Sequence, residues 1–328
     1  MAVQTLSEAL DNLYTTTWEM RKSETADQIF DGTPFWFWMR EHGALESVSG
    51  GRFLSEPLRY AKSDRVQFIG RGGSVTLSEN EFLTEAVDDW RYLVDSIVRY
   101  GIDDQKNRGK FRIINFMNAK LDQSRDSLVD KVEEVLFDQT GLSTAQQSIA
   151  FNDLLTLVAD DPTTGTVHGI NAATYSWWRN KTTNMTGLSW AVHGHDKMRT
   201  LWNNCGTNLR GQFPNIIVSG QTPYEYYEAS VIEQKRIVNK KMADAGFENI
   251  EFKGTPMIWS PSCANTRMYF LNTNFLKFKH DPMMKFDMTN WKEIPAQVND
   301  RAAQIILAGN LMTSRRRVHG VLHTIDTA

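Results

Sequence analysis

The stretch "HGHD" carries the densest set of metal-binding side chains in the sequence: His193, His195 and Asp196. Imidazoles at i and i+2 share one face of a strand, and Asp196 could add an oxygen, so the trio is a candidate metal site. Such a site needs three or four converging ligands, and no other His or Cys stands near it in sequence. The plainer reading is a polar loop entering a helix around Met198, with His195 or Asp196 near its N-terminus. Ser219, in "VSGQ", lies between an apolar run and a helical stretch, as a nucleophilic serine can, but G-x-S-x-G is absent. Cys205 and Cys263 are too few for a disulfide framework and read as reduced thiols. No G-x-G-x-x-G follows a strand, and there is no G-x-x-x-x-G-K-S/T loop and no C-x-x-C. No cofactor is expected, and the chain reads as a non-enzyme.

The chain has 328 residues, enough for a sizeable core in one or two domains. A net charge of −3 gives no global basic field for nucleic acid. The opening "MAVQTLSEALDNLY" lacks a basic region followed by an apolar one, so no secretory signal is expected. No apolar run approaches the roughly 20 residues of a membrane helix, and no membrane partner is expected. Aromatics are numerous, with 10 Trp, 9 Tyr and 17 Phe, which suits large cores and interfaces alike.

Residues 1–44 read as an N-terminal arm. Within them "TPFWFWMREHG" sets Phe35, Trp36, Phe37 and Trp38 in a row. These either tuck into the chain's own core or dock on a neighbouring subunit. Phe35, Trp36 and Trp38 are therefore candidate intersubunit contacts.

Residues 50–73, "GGRFLSEPLRYAKSDRVQFIGRGG", are bounded by glycine pairs and interrupted by Pro57. They carry five basic residues, Arg52, Arg59, Lys62, Arg65 and Arg71, against two acidic ones, with too few apolar residues for a core. Ser78 and Glu81 offer a capping box, and Phe82, Ala86, Trp90, Leu93 and Ile97 are helically spaced. A helical or irregular piece is expected there, then a strand from about Trp90. Trp90, Tyr92, Val94, Ser96, Val98 and Tyr100 fall on one face of that strand, and Arg91, Asp95 and Arg99 on the other. Residues 50–100 thus form a long excursion, since fifteen extended residues reach about 50 Å. A two-stranded ribbon alone in water is marginal, so this one calls for a partner surface.

Ile114, Met117, Leu121, Leu128, Val132, Val135 and Leu136 form a 3.6-period stripe that predicts a long helix ending before Gly141. The middle reads as α/β. "HDKMRTLWNNCGTN" predicts a helix with Met198, Leu201, Trp202 and Cys205 on one face, and "NIIVSG" a buried strand. "TPYEYYEASVIEQKRIVNKKMADAG" predicts a helix with Thr222 as N-cap, Pro223 at its first position, Glu225 at its third and Gly246 beyond its end. "NIEF", "TPMIW", "RMYFL" and "FLKFK" read as strands. The tail reads as two strands around Gly309-Asn310. In it "SRRRVHG" gathers Arg315, Arg316 and Arg317, which fits a solvated face or contact with phosphates or a neighbour's acidic residues.

Several blocks, in order, resemble the tailed-phage major capsid proteins. "DDWRYLVDSIVRYGIDDQKNRGKFRIINFMNAKLDQSRDSL" resembles the end of their extended loop and the start of their spine helix. "DDPTTGTVHGINAATYSWWRN", "PNIIVSGQTPYEYYEASVIEQKRIVNKKMADAGFENIEFKG", "RMYFLNTNFLKFKHDP" and "AAQIILAGNLMTSRRRVHGVLHTI" follow suit. The likeness runs from about residue 85 onward. It implies an α+β, Hong Kong 97-type capsid fold. The implied parts are an N-terminal arm (1–44), an extended β-hairpin loop (45–104), a peripheral domain with the spine helix (105–165), an axial domain (166–285) and closing strands, mainly peripheral (286–328). It also implies hexamers and pentamers of an icosahedral virion head, assembled in host cytoplasm around double-stranded DNA. The implied partners are sister copies, a portal protein, non-specific contact with packaged DNA, and separate scaffolding and decoration proteins. No long amphipathic scaffolding segment is visible at the N-terminus, so any scaffold is expected to be a separate chain or a removed piece. Some relatives crosslink a loop lysine to a partner asparagine. Lys62 lies in the loop and Asn299 and Asn310 in the tail, but nothing sets a catalytic carboxylate beside them, and no crosslink is expected. The alternatives are an encapsulin-like nanocompartment shell, which shares the fold, and a metal-dependent enzyme using His193, His195 and Asp196.

Overall fold

The computed structural model describes residues 34–101, 110–206, 212–231, 250–295 and 300–326, apart from positions 64, 76 and 78–80. The first described element is α1 (Pro34–Glu41), with proline in its opening turn, where its missing N–H costs nothing. Residues 34–39 are all buried. An eight-residue helix that is apolar on every side is stable only inside a core. Trp36 meets the ring of Phe278 edge-on at 4.7 Å, and Phe35 lies 5.6 Å from Phe137. This corrects the docking expectation: Phe35, Trp36 and Trp38 are 1%, 2% and 4% exposed within a single chain, so they offer a neighbour no surface.

The strand β1 (Leu45–Ser47) runs parallel to β12 (Leu276–Met288). Next, β2 (Leu54–Arg59) pairs antiparallel with β3 (Leu83–Asp88), from Leu54 opposite Asp88 to Arg59 opposite Leu83. The helical or irregular piece expected over 82–88 is therefore a strand, because β2 supplies a pairing partner that helical spacing cannot reveal. Pro57 is tolerated because a two-stranded ribbon has open edges. Ser78 of the expected capping box lies outside the described residues.

The expected strand after Trp90 is β4 (Arg91–Arg99), antiparallel to β14 (Arg301–Thr313), with Ile97 opposite Ala303. Its alternation has an unexpected sense. Tyr92, Val94 and Ser96 face solvent, while Ile97 and Arg99 are buried. Arg99 lies over the Trp291 ring at 5.7 Å. Together β1, β12, β14, β4 and β13 (Lys292–Glu293) form a five-stranded sheet.

The long helix, α2 (Lys110–Phe137), has 28 residues and so spans about 42 Å. Leu121, Leu128, Val132, Val135 and Leu136 of the predicted stripe are buried in the main core. The side chains of Ile114 and Met117 lie outside the described residues. Short helices α3 (Thr144–Gln147) and α4 (Leu154–Leu157) follow, capped by Ser143 and Asp153. A small hairpin, β5 (Thr166–Val167) and β6 (Ile170–Asn171), leads to β7 (Lys181–Asn184).

The remaining elements are α5 (Trp190–Gly206), β8 (Ile216–Ser219), α6 (Gln221–Val231), β9 (Ile250–Phe252), β10 (Thr255–Trp259), β11 (Met268–Leu271) and β15 (Gly320–His323). They build a six-stranded sheet in the order β7-β15-β11-β8-β10-β9. The β8–β10 pair is parallel, across the connection that contains α6, and β11 runs antiparallel to β8. One face packs Ile217, Phe270 and Leu322 against Met198, Leu201 and Cys205 of α5. The opposite face gives Ile216, Val218, Tyr269 and Val321 to the main core with α1 and α2. Burial on both faces explains why β8 and β11 are apolar without alternation.

Two further local expectations are corrected. The helix α6 starts at Gln221, one residue before the expected cap Thr222, because the side chain of Asn265 accepts the Gln221 N–H at 3.0 Å. The predicted end at Gly246 lies outside the described residues. Gly309-Asn310 is not a turn but runs through the middle of β14, and the reversal comes later, at Ser314 and the 3-10 turn Arg316–Val318. A Cβ on Gly309 would stand 2.4 Å from the Lys279 carbonyl oxygen and 2.8 Å from the Phe278 ring. The glycine therefore serves close strand packing, not a hairpin. Asn310 is buried, accepting from the Asn152 N–H at 2.8 Å and donating to the Asp89 carbonyl at 3.1 Å. The last strands are divided between the two sheets, β14 in one and β15 in the other.

Candidate intersubunit surface

The excursion from residue 50 to 100 is rooted firmly and ends loosely. Gly50 and Gly51 make the entry turn with φ of +72° and +115°, values L side chains rarely adopt. Leu54, Leu58 and Ala86 of the ribbon then bury against Ile170, Trp178 and Met312, with Trp90 packed alongside. The Trp90 indole donates to the Gly51 carbonyl at 3.0 Å. Lys279, 4% exposed, reaches from β12 to Glu56 and to the Ser55 carbonyl, both at 2.6 Å.

A polar network closes the root. His168 Nδ1 lies 2.7 Å from Asp88, and its Nε2 accepts the Thr313 N–H at 3.1 Å. With Nε2 accepting, the proton sits on Nδ1 and is donated to the carboxylate. Asn152 donates to the same Asp88 oxygen at 2.5 Å. Burial pushes the Asp88 carboxyl up, but the hydrogen bonds it accepts from His168, Asn152 and the Asp89 N–H outweigh it, so its pKa is lowered.

Beyond Tyr60 the chain leaves its own body. Val66, Phe68, Ile69, Val75, Leu77, Phe82 and Leu83 are all exposed, Val66 at 88% and Leu77 at 93%. Within the loop, Gln67 donates to the Ser74 carbonyl at 3.3 Å and Gly73 to that of Gly70 at 3.0 Å. Arg52, Arg59, Lys62, Arg65 and Arg71 are exposed along the same excursion. These exposed apolar side chains, gathered along one excursion, make it a candidate docking surface.

The "SRRRV" arginines do not act as one run. Arg316 is 1% exposed, with its guanidinium donating to the carbonyls of Leu157 at 2.6 Å and Thr156 at 3.1 Å. Burial lowers its pKa to about 10. Arg316 is thus a core anchor and not an intersubunit contact, which corrects the expectation for it. Arg315 and Arg317 stay at the surface, half-buried.

The side chains singled out for chemistry do not converge. His193, His195 and Asp196 all lie in α5, where an i,i+2 pair is turned about 200° apart. His195 meets Ser230 at 2.8 Å, and Asp196 pairs with Arg199. Among the described residues no group of three His, Cys, Asp or Glu side chains is placed to hold a metal ion. Ser219 is fully buried at the end of β8. Both cysteines are buried, and burial pushes the Cys205 thiol up to about 12. Asn310 is buried in its own hydrogen bonds and cannot meet a lysine from outside, while Asn299 lies outside the described residues.

Two buried titratable groups have no local signal in the sequence. Glu133 of α2 accepts the hydroxyl of Ser260. Burial raises its carboxyl to about 7, with the Ser260 hydrogen bond opposing and the charge of Asp130 adding to the rise. Fully buried His319 has its pKa lowered to about 3 by burial, with Arg316 adding to the effect. Its Nδ1 accepts the Asn272 N–H at 3.2 Å.

No protein-family model and no curated protein matches the sequence. Solved structures do. A chain of the cyanophage A-1(L) capsid asymmetric unit superposes with a TM-score of 0.65 at 14% identity, over 88% of this chain and 93% of that one. This chain has the Hong Kong 97-type phage capsid fold. A chain from Microbacterium phage Oxtober96 matches at TM-score 0.51 and 10% identity, covering 87% and 90% of the two chains. One from Mycobacterium phage Bobi matches at 0.50 and 11%, covering 88% and 90%. At such identities it is the capsid fold that is shared. That fold accounts for an arrangement odd in a lone chain, a long helix beside two sheets and a rooted ribbon that carries exposed apolar residues beyond its paired strands.

Proposed function

We propose that this chain is the major capsid protein of a tailed phage, building hexamers and pentamers of an icosahedral head around double-stranded DNA. In this reading residues 45–104 are the extended loop, 105–165 the peripheral domain with α2 as its spine helix, 166–285 the axial domain and 286–328 closing strands, mainly peripheral. The role is structural, and no step of chemistry is assigned to the chain. Its partners are sister copies, a portal protein, packaged DNA, and separate scaffolding and decoration proteins. The virion head is its location, and host cytoplasm its place of assembly.

The observation that carries the reading is the exposed apolar segment between Tyr60 and Leu83 on a firmly anchored ribbon. One subunit's loop would lie on a different surface of the next. Such a head-to-tail contact closes rings, and rings of two sizes close a shell. Individual exposed charge pairs are worth only about 0–1 kcal/mol. Many weak contacts of this kind let misplaced subunits leave before closure. The test is expression with and without the neighbouring phage genes, followed by sedimentation and electron microscopy. Closed icosahedral particles, filled with DNA in the phage context, are expected. A chain that stays monomeric at high concentration with scaffold supplied contradicts the proposal, and particles holding protein cargo without DNA point to a nanocompartment instead.

A further inference from the structure

The turn between β14 and β15 separates its three arginines. Arg316 and Arg317 lie in the 3-10 turn Arg316–Val318, whose successive side chains point about 120° apart, and Arg315 precedes it as the N-cap. Arg316 points inward to the α4 carbonyls, which fixes the turn. Arg315 and Arg317 are left outside, where they line a small groove together with Arg59 from the end of β2. One wall of the groove is Tyr60 stacked on Trp177, ring centroids 5.0 Å apart and planes 20° from parallel. Arg315 is steadied over the ring of Phe275 at 5.0 Å.

Among the described residues, none of these three guanidinium groups has a carboxylate partner. Burial lowers the pKa of Arg317, and the neighbouring charge of Arg315 lowers it further. Arg315 and Arg317 repel each other and exposed Arg59 adds a third cation to the lining, an arrangement that an entering anion relieves.

We propose that this groove is a carboxylate-binding site that receives acidic side chains from a second copy of the chain. The proposal rests on the shell reading above. Tyr60, which lines the groove, is also the residue from which the exposed loop departs. The groove therefore adjoins the root of the segment that a second copy would cover. The chain has acidic groups to give, 39 against 36 basic ones. Guanidinium forks match carboxylates with two parallel hydrogen bonds, best where water is scarce. A duplex phosphate backbone instead tracks open rows of exposed cations, which a groove walled by indole and phenol rings does not offer.

Phenylglyoxal, which modifies accessible guanidinium groups, tests the proposal on the full chain, read by mass spectrometry. Arg59, Arg315 and Arg317 are expected to react in unassembled chains and to lose that reactivity in shells free of nucleic acid. Arg316 is the internal control, unreactive in both. Arginines that stay reactive in empty shells overturn the proposal, and protection seen only in DNA-filled shells overturns it in favour of phosphate. The double variant Arg315→Glu, Arg317→Glu is expected to keep the unfolding temperature of the isolated chain and to lose assembly. Normal assembly by a folded double variant also overturns the proposal. Failure of the wild-type chain to form any shell removes both readings, whereas shells with all three arginines reactive remove the groove alone.

Discussion

Glu133 and Ser260 meet in the core as a hydrogen-bonded pair that ties the long helix α2 to the end of β10. Among the described residues no cation pairs with the carboxylate, and burial raises its pKa to about 7 from an ordinary 4.5. The folded chain therefore binds a proton more tightly than the unfolded chain does. Stability is expected to fall as pH rises from 4.5 to about 7 and to level off above that, by on the order of 3 kcal/mol. Thermal unfolding of the isolated chain across this range measures it. Glu133→Gln, which keeps a partner for Ser260 without the charge, is expected to flatten the profile. An unchanged slope in the variant contradicts the assignment.

Asp88 is the acceptor for both His168 and Asn152 at the root of the loop. Asp88→Ala leaves the buried His168 donor without an acceptor and removes one of the two bonds of half-buried Asn152, and is expected to cost about 1–3 kcal/mol, while Asp88→Asn, which retains an acceptor, costs less. Denaturant unfolding gives the magnitudes. Equal losses in the two variants would show that the network does not hold the root.

Gly309 has no room for a side chain between β14 and β12. Gly309→Ala is expected to destabilise the chain by about 1–3 kcal/mol through overpacking against Phe278 and the Lys279 carbonyl. A neutral effect in thermal unfolding would mean the two strands separate more easily than their register implies.

Much of the fold could be read locally. The α2 stripe, the buried run of β8 and the strand from residue 91 each carry their pattern within a few neighbouring residues. The network of Asp88, His168 and Asn152 could not be read, because its members stand up to 80 residues apart. Glu133 and Ser260 are 127 apart, and nothing near either names the other. Gly309-Asn310 misled because turn chemistry and close strand packing ask for the same small residue. The aromatics of α1 were ambiguous because a core and an interface reward the same side chains. Of the candidate contacts, the exposed cations of the loop were legible as an excess of charge over apolar residues. Arg316 was not, since only the fold shows which arginine of three turns inward.

The loop's side chains are expected to matter for assembly and not for folding. Phe68→Ser, or Lys62→Glu with Arg65→Glu, alters residues exposed in the single chain. Each should leave its stability within about 0.5 kcal/mol. Particle yield by sedimentation is expected to collapse in both. Normal particles from both variants contradict the role given to the loop.

Hydrogen exchange read by mass spectrometry, on isolated chains and on assembled particles, tests the central claim most directly. The amides of residues 66–72 are expected to exchange freely in the isolated chain, while β8, β11 and β14 stay protected, and to become protected in particles. Slow exchange of that segment in the isolated chain, or fast exchange that persists in particles, would contradict the claim that a second copy covers it.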